Sequence, residues 1–244
     1  MIRRWHRWLG GLTIVALSVA LVIGLRGIRE PILRAAGRSL VVEAPVEPAD
    51  VIVVSAWAAS AGVLEAADLV RGGIARRVAV FVNPPDSVAR EFARRGIPYE
   101  DRASRSISQL KALGVVNIER IPSAGGTQEE ARALLEWCDR HQYRSVVVVS
   151  MRDHSRRLHR VFRRSMPGHR AKIIVRPTTY SEFDPDHWWK THDGLRTGLI
   201  EMQKLLFDIL RHPISLEWGD RGAASNIATA DHRAPPRPLS RTSS

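Results

Sequence analysis

Five short runs rich in valine and isoleucine, each followed by a polar turn, constrain this chain more than any other feature. They are Ala49-Asp50-Val51-Ile52-Val53-Val54-Ser55, Arg77 to Val82, Val115 to Ile121, Ser145 to Ser150 and Lys172 to Arg176. Continuous apolar runs of this length mark strands buried on both faces, as in parallel sheets. Parallel strands need long crossovers, and the intervening segments supply them. Helices are expected over residues 61–72, from Asp86 to about Arg95, Ser104 to Leu113, Thr127 to His141 and Asp153 to about Ser165. The alternation predicts an α/β, Rossmann-like domain: a parallel sheet between two helical layers.

After Pro177 the pattern changes. Ser181 to Lys190, with Asp184, Asp186, His187, Trp188 and Trp189, reads as a loop or irregular turn. Gly194 to Arg211 reads as an amphipathic helix, its apolar face formed by Leu195, Leu199, Met202, Leu206, Ile209 and Leu210, stopped by His212-Pro213. The α/β domain is placed at 49–217, and 218–244, poor in apolar residues, is expected to be disordered.

The N-terminus carries a different signal. Leu9 to Leu25 is uncharged, with Arg3, Arg4 and Arg7 before it and Arg26 and Arg29 after it. As a helix it spans roughly 25 Å, at the short end for a bilayer crossing. Trp5 and Trp8 stand where interfacial aromatics belong. A cleaved signal peptide shares the basic start and apolar core, but no small-x-small site closes the run before Arg26. An uncleaved transmembrane helix within residues 1–28 is therefore expected, followed by a juxtamembrane linker over 29–48. Arginines on both sides leave its orientation open.

The net charge of +12 invites a nucleic-acid reading, but residues 1–38 alone hold seven arginines against one glutamate. That concentration beside the apolar run points to anionic lipid, and no zinc-finger spacing or aromatic RNA-binding motif is present. The single cysteine, Cys138, excludes an internal disulfide framework and a cysteine-based zinc site. On a helix beside Trp137 it reads as a packed thiol.

Ligands of parallel α/β sheets bind beyond the C-terminal strand ends. There the sequence places Ser55 and Ser60, Thr127 and Glu129, and Ser150, His154 and Arg157. Thr127 and Glu130 have capping-box spacing, which accounts for both residues structurally. His154 lies in the first turn of its helix, where the positive dipole end favours a neutral imidazole able to act as base or ligand. Arg157 is the arginine of its helix best placed to reach a ligand; Arg160 and Arg164 share its face and are otherwise a solvated surface. Asp184, Asp186, His187 and His192 match no tight metal spacing. Walker A, GxGxxG and GxSxG elements are absent from the sequence.

Strand one, Gly126-Thr127-Gln128-Glu129-Glu130-Ala131 and Ser150-Met151-Arg152-Asp153-His154-Ser155-Arg156-Arg157-Leu158 together resemble the YdcF-like (DUF218) family over about residues 49–212. Its central element keeps the threonine, first glutamate and alanine; its third keeps histidine and arginine at their mutual spacing. The glycine turn of the family is Ser55-Ala56-Trp57-Ala58-Ala59-Ser60 here, with Trp57 in space a ligand would need, and Asn83-Pro84-Pro85 replaces a Ser-Gly-Gly. The resemblance implies a membrane-anchored, cell-envelope protein with its domain outside the cytoplasmic membrane, active in envelope biogenesis or barrier function. One branch of the family is associated with S-adenosylmethionine; no cofactor is assigned to this chain.

Three readings follow. The first is an anion- or phosphate-binding pocket using Ser55, Thr127, Ser150 and Arg157. The second is a hydrolase or transferase on a phosphorylated or lipid-linked envelope precursor, with His154 and Glu129 as acid and base. The third is a non-catalytic interaction module.

Overall fold

The computed structural model describes residues 27–42 and 44–213. The expected membrane helix over 9–25 and the expected disordered tail over 218–244 lie outside the described residues. Among the described residues, no helix is long and apolar enough to cross a membrane.

Five parallel strands form one sheet: β1 (Val51–Val54), β2 (Arg77–Val82), β3 (Asn117–Pro122), β4 (Ser145–Ser150) and β5 (Lys172–Pro177), in the order β3-β2-β1-β4-β5. Val54 pairs with Val80 on one side and Val149 on the other, so β1 occupies the centre. The helices are α1 over residues 27–39, α2 (Ala59–Arg71), α3 (Ser87–Arg94), α4 (Arg102–Ala112), α5 (Thr127–His141), α6 (Arg152–Ser165) and α7 (His192–Arg211). The α/β Rossmann-like expectation describes this sheet and its flanking helices.

Strand alternation sorts the core into two layers. Val51 and Val53, with Val146 and Val148, face α5 and α6, where Leu134, Trp137, Leu158 and Phe162 are buried. Ile52 and Val54, with Val147 and Val149, face α2 and α4, where Val63, Ala66, Ile107 and Leu110 are buried. Gly62 lets α2 lie close to the sheet: a Cβ there would fall 2.4 Å from that of Ala58 and 3.1 Å from Val54 Cγ1. The following rule then fixes the site: Ser55 and Ser150 continue β1 and β4 with the parity of Val53 and Val148, towards α5 and α6.

A third cluster joins α1, the 183–189 segment and α7 through Leu40, Phe183, Trp188 and Leu205. Trp188 donates its ring N–H to Leu33 O at 2.8 Å. The linker expected over 29–48 is thus part of the fold. Its apolar residues Leu33, Ala36 and Leu40 recur at helical spacing and find this cluster, a signal masked by the surrounding arginines. The face of α7 also differs from expectation: Gly198, Glu201 and Leu205 are buried, whereas Leu195, Leu199 and Leu206 are exposed. Apolar spacing identified the helix, and Trp188, which presses on Gly198, decides its inward face. A second compact unit begins at Phe207; its described residues, 207–213, complete α7 and a short turn.

Candidate functional site

The strand order reverses between β1 and β4, and the helices leaving their C-terminal ends diverge to opposite faces. Ser55 N donates to Val149 O at 3.0 Å, and Thr178 N to Ser150 O at 2.8 Å, so sheet bonding continues to the last residue of each strand. Beyond that level the chain turns polar. Ser55, Ser150 and His154 are buried there, as is Glu130 in the first turn of α5.

Two glycines aim α5 at this point. Gly125 and Gly126 have φ values of 92° and 91°, a region that suits glycine, and Gly126 is the helix N-cap. Thr127 is consequently the first helical residue rather than the cap, and the capping box does not form. Its Oγ1 instead accepts from Arg157 Nη1 at 3.1 Å. The helix phase that follows separates the two glutamates. Glu129 pairs with Arg132 at 3.1 Å, and it is Glu130, the next residue, that turns inward. Glu130 is fully buried, and no side chain bonds its carboxylate, which faces the Ala56 N–H. Burial pushes its pKa up to about 7, against the opposing influence of the Ala56 N–H and the Arg157 charge.

Arg157 ties the cluster together. Its Nε donates to Glu201 Oε2 at 3.0 Å and its Nη2 to Glu201 Oε1 at 3.4 Å. Nη2 also lies 3.0 Å from His154 Nδ1, which is 3.4 Å from Glu201 Oε2. Nδ1 accepts from Arg157 when the ring proton sits on Nε2 and donates to Glu201 when Nδ1 itself carries a proton. Nε2 is buried with no partner. Lys204 completes the shell, donating to Glu201 Oε1 at 2.7 Å. Burial opposes charge on Glu201, but His154, Arg157 and Lys204 at its oxygens outweigh it and hold the carboxyl well below its usual range.

Glu201 is the residue that sequence reasoning missed. It stands 44 positions after Arg157. Its position between Gly198 and Leu205 at helical spacing was the available signal, a carboxylate on a buried stripe. Its presence also changes the role of Arg157. The guanidinium is engaged with Glu201, Thr127 and His154.

Ser55 Oγ is buried without a partner, while Ser150 Oγ donates to Met151 O at 3.2 Å. Ser55 and Ala56 also line an open cleft of about 680 Å³ beyond β1 and β2, walled by Asn83, Arg90, Tyr99 and Arg102 among others. Trp57 stands at its edge, 56% exposed, with the Arg102 guanidinium 5.2 Å from its ring centre, so it borders the space and does not fill it. Ser60 accepts from Gln109 at 3.0 Å, tying α2 to α4. Asp86 and Asp101 of the lining are engaged as helix caps, accepting from Ala89 N at 2.8 Å and Ser104 N at 2.7 Å.

The aspartate–histidine group after β5 is paired internally: Asp184 with His187 at 2.8 Å and Asp186 with Arg38 at 2.7 Å. No group of three or more metal-ligating side chains occurs among the described residues.

No family model matches this sequence, and no curated protein matches it. Among solved structures, an aureusimine biosynthetic cluster reductase domain is 13% identical, with a TM-score of 0.25. The match covers 50% of this chain and 40% of that one, so the chain spans less than half the length of that reductase domain.

Proposed function

We propose that this chain is a YdcF-like envelope protein, held in the cytoplasmic (inner) membrane by residues 9–25, with its α/β domain on the external or periplasmic side. It binds a small anionic ligand, of the phosphate class, and serves envelope biogenesis or barrier maintenance. The observation that carries the binding reading is the cleft beyond β1 and β2. Ser55 contributes to its floor, and it presents Arg90 and Arg102 on its wall, next to carboxylates already committed to helix ends. Guanidinium groups bind phosphate through charge and paired N–H donors. Titration calorimetry of the full chain with inorganic phosphate and pyrophosphate tests it. The expected result is saturable heat that an Arg90→Ala/Arg102→Ala variant loses; equal heats from the two proteins would refute it. A periplasm-active reporter fused after Ser244 tests the topology, and a signal confined to a cytoplasm-active reporter would reverse it.

One observation favours a second reading, a hydrolase or transferase acting on a phosphorylated or lipid-linked precursor. Burial pushes the Glu130 carboxyl up to about 7, and His154 Nε2 is buried without a partner, which supports an acid–base role for the two residues. Phosphate release from such precursors, compared among wild type, Glu130→Gln and His154→Ala, decides it. Unchanged rates in both variants would remove the catalytic assignment.

A further inference from the structure

Residues 83–102 form one wall of the cleft without burying a single residue. All of α3 belongs to this stretch, and none of its residues is buried. A segment of this length ordinarily hides its apolar side chains. Here they gather at the cleft mouth instead. Ile97 and Tyr99 line it, each 46% exposed, and Phe92 of α3 stacks on Tyr99 with ring centres 5.4 Å apart. Trp57 adds a further exposed ring, beneath the Arg102 guanidinium.

The charged groups of the same cleft lie among these rings. Arg90 belongs to α3 and Arg102 lies over Trp57. An anion held by the two arginines therefore has its uncharged remainder beside Trp57, Ile97 and Tyr99, with Phe92 backing the Tyr99 ring. A hydrophilic remainder would leave that apolar surface wet, whereas an alkyl or prenyl chain would cover it and gain from its own burial. We infer that the cleft takes an anionic amphiphile, a phosphate monoester with a hydrocarbon tail, the tail resting on the rim formed by α3 and the 95–100 turn. The inference rests on the anion reading proposed above and adds the chemistry of the rest of the ligand.

The test is a chain-length series of methyl, butyl and hexyl phosphate, short enough to stay dissolved as monomers. Each is titrated into the full-length protein in a non-ionic detergent, with protein-free micelle blanks. Each methylene covered by the rim tightens binding roughly fourfold, so affinity climbs steeply from methyl to hexyl. In Phe92→Ser/Ile97→Ser, both changes on exposed positions, the climb flattens while inorganic phosphate binds as in wild type. A flat series in the wild type, with phosphate still bound, overturns the amphiphile and leaves the anion reading intact. Failure to bind any probe, phosphate included, overturns both. A climb that survives in the double variant places the tail elsewhere and overturns the rim assignment. Light scattering on the same samples adds one more outcome: a dimer that the rim variant dissociates would assign the surface to a second copy of the chain.

Discussion

Arg157 of α6 and Glu201 of α7 meet through two N–H donors, Nε at 3.0 Å and Nη2 at 3.4 Å, with the carboxylate almost fully buried. Removing one member of such a pair strands the other charge in a poorly solvated place. Arg157→Ala is expected to destabilise the fold by about 3 kcal/mol. Arg157→Met/Glu201→Leu should cost distinctly less than the sum of the single changes. Urea unfolding of the four proteins in a double-mutant cycle measures the difference, and additive losses would show that the contact contributes nothing.

The same carboxylate sets an acid limit. Its pKa is lowered on folding from an ordinary 4.5. The stability it contributes is therefore present above 4.5 and is lost as pH falls below that value. Glu201→Gln should flatten the stability profile below pH 4.5, as read from thermal midpoints at stepped pH.

Glu130 behaves oppositely, in a separate window. Folding raises its pKa from 4.5 to about 7. The folded state then holds more protons than the unfolded chain between those values, so stability declines as pH rises through that interval. The decline attributable to this group is on the order of 3 kcal/mol. Glu130→Gln keeps the shape, removes the charge and should abolish that slope, leaving the variant more stable than wild type at pH 8. An unchanged slope would mean that an unseen partner stabilises the carboxylate.

Gly198 lies against the Trp188 ring, and an added Cβ would fall 2.6 Å from Trp188 Cε3. Gly198→Ala should therefore cost about 1–3 kcal/mol by forcing α7 from its seat. The midpoint of chemical unfolding tests this, and a gain of stability from helix propensity alone would show that the ring yields.

Cys138 is completely buried, and burial pushes its thiol up to about 12. Labelling by a thiol-specific chromogen should be absent in the native state and appear with unfolding, at denaturant concentrations that match the loss of circular dichroism. Rapid labelling without denaturant would contradict the packing of α5.

Much of this fold was legible from residue order alone because buried parallel strands are written locally. The valine runs at Arg77 to Val82 and Ser145 to Ser150 match β2 and β4 end to end, and Thr127 to His141 matches α5. The site was legible in part. Ser55, Thr127, Ser150, His154 and Arg157 all lie at the strand ends, where chain topology places them. The choice between Glu129 and Glu130 turned on a one-residue shift of the helix start, governed by the backbone of Gly126, and neighbouring positions on a helix face about 100° apart. Glu201 was hidden for another reason: a contact spanning 44 positions is set by where Trp188 seats α7, and no periodicity of α7 alone encodes that. The sequence of α1 reads as a linker because Arg29, Arg34 and Arg38 are interleaved with the few apolar residues that dock.

The connection between α1 and the sheet has a mechanical consequence. Val42 N donates to Ser155 Oγ at 3.0 Å, Arg156 N to Leu40 O at 2.9 Å, and Arg156 Nη2 to Val41 O at 2.7 Å. The segment that follows α1 is thus fastened to the first turns of α6, which carry His154, two residues before Arg156. Any displacement of α1 is delivered first to those turns, and shortening the chain past Val42 removes bonding from them as surely as a substitution at the strand ends.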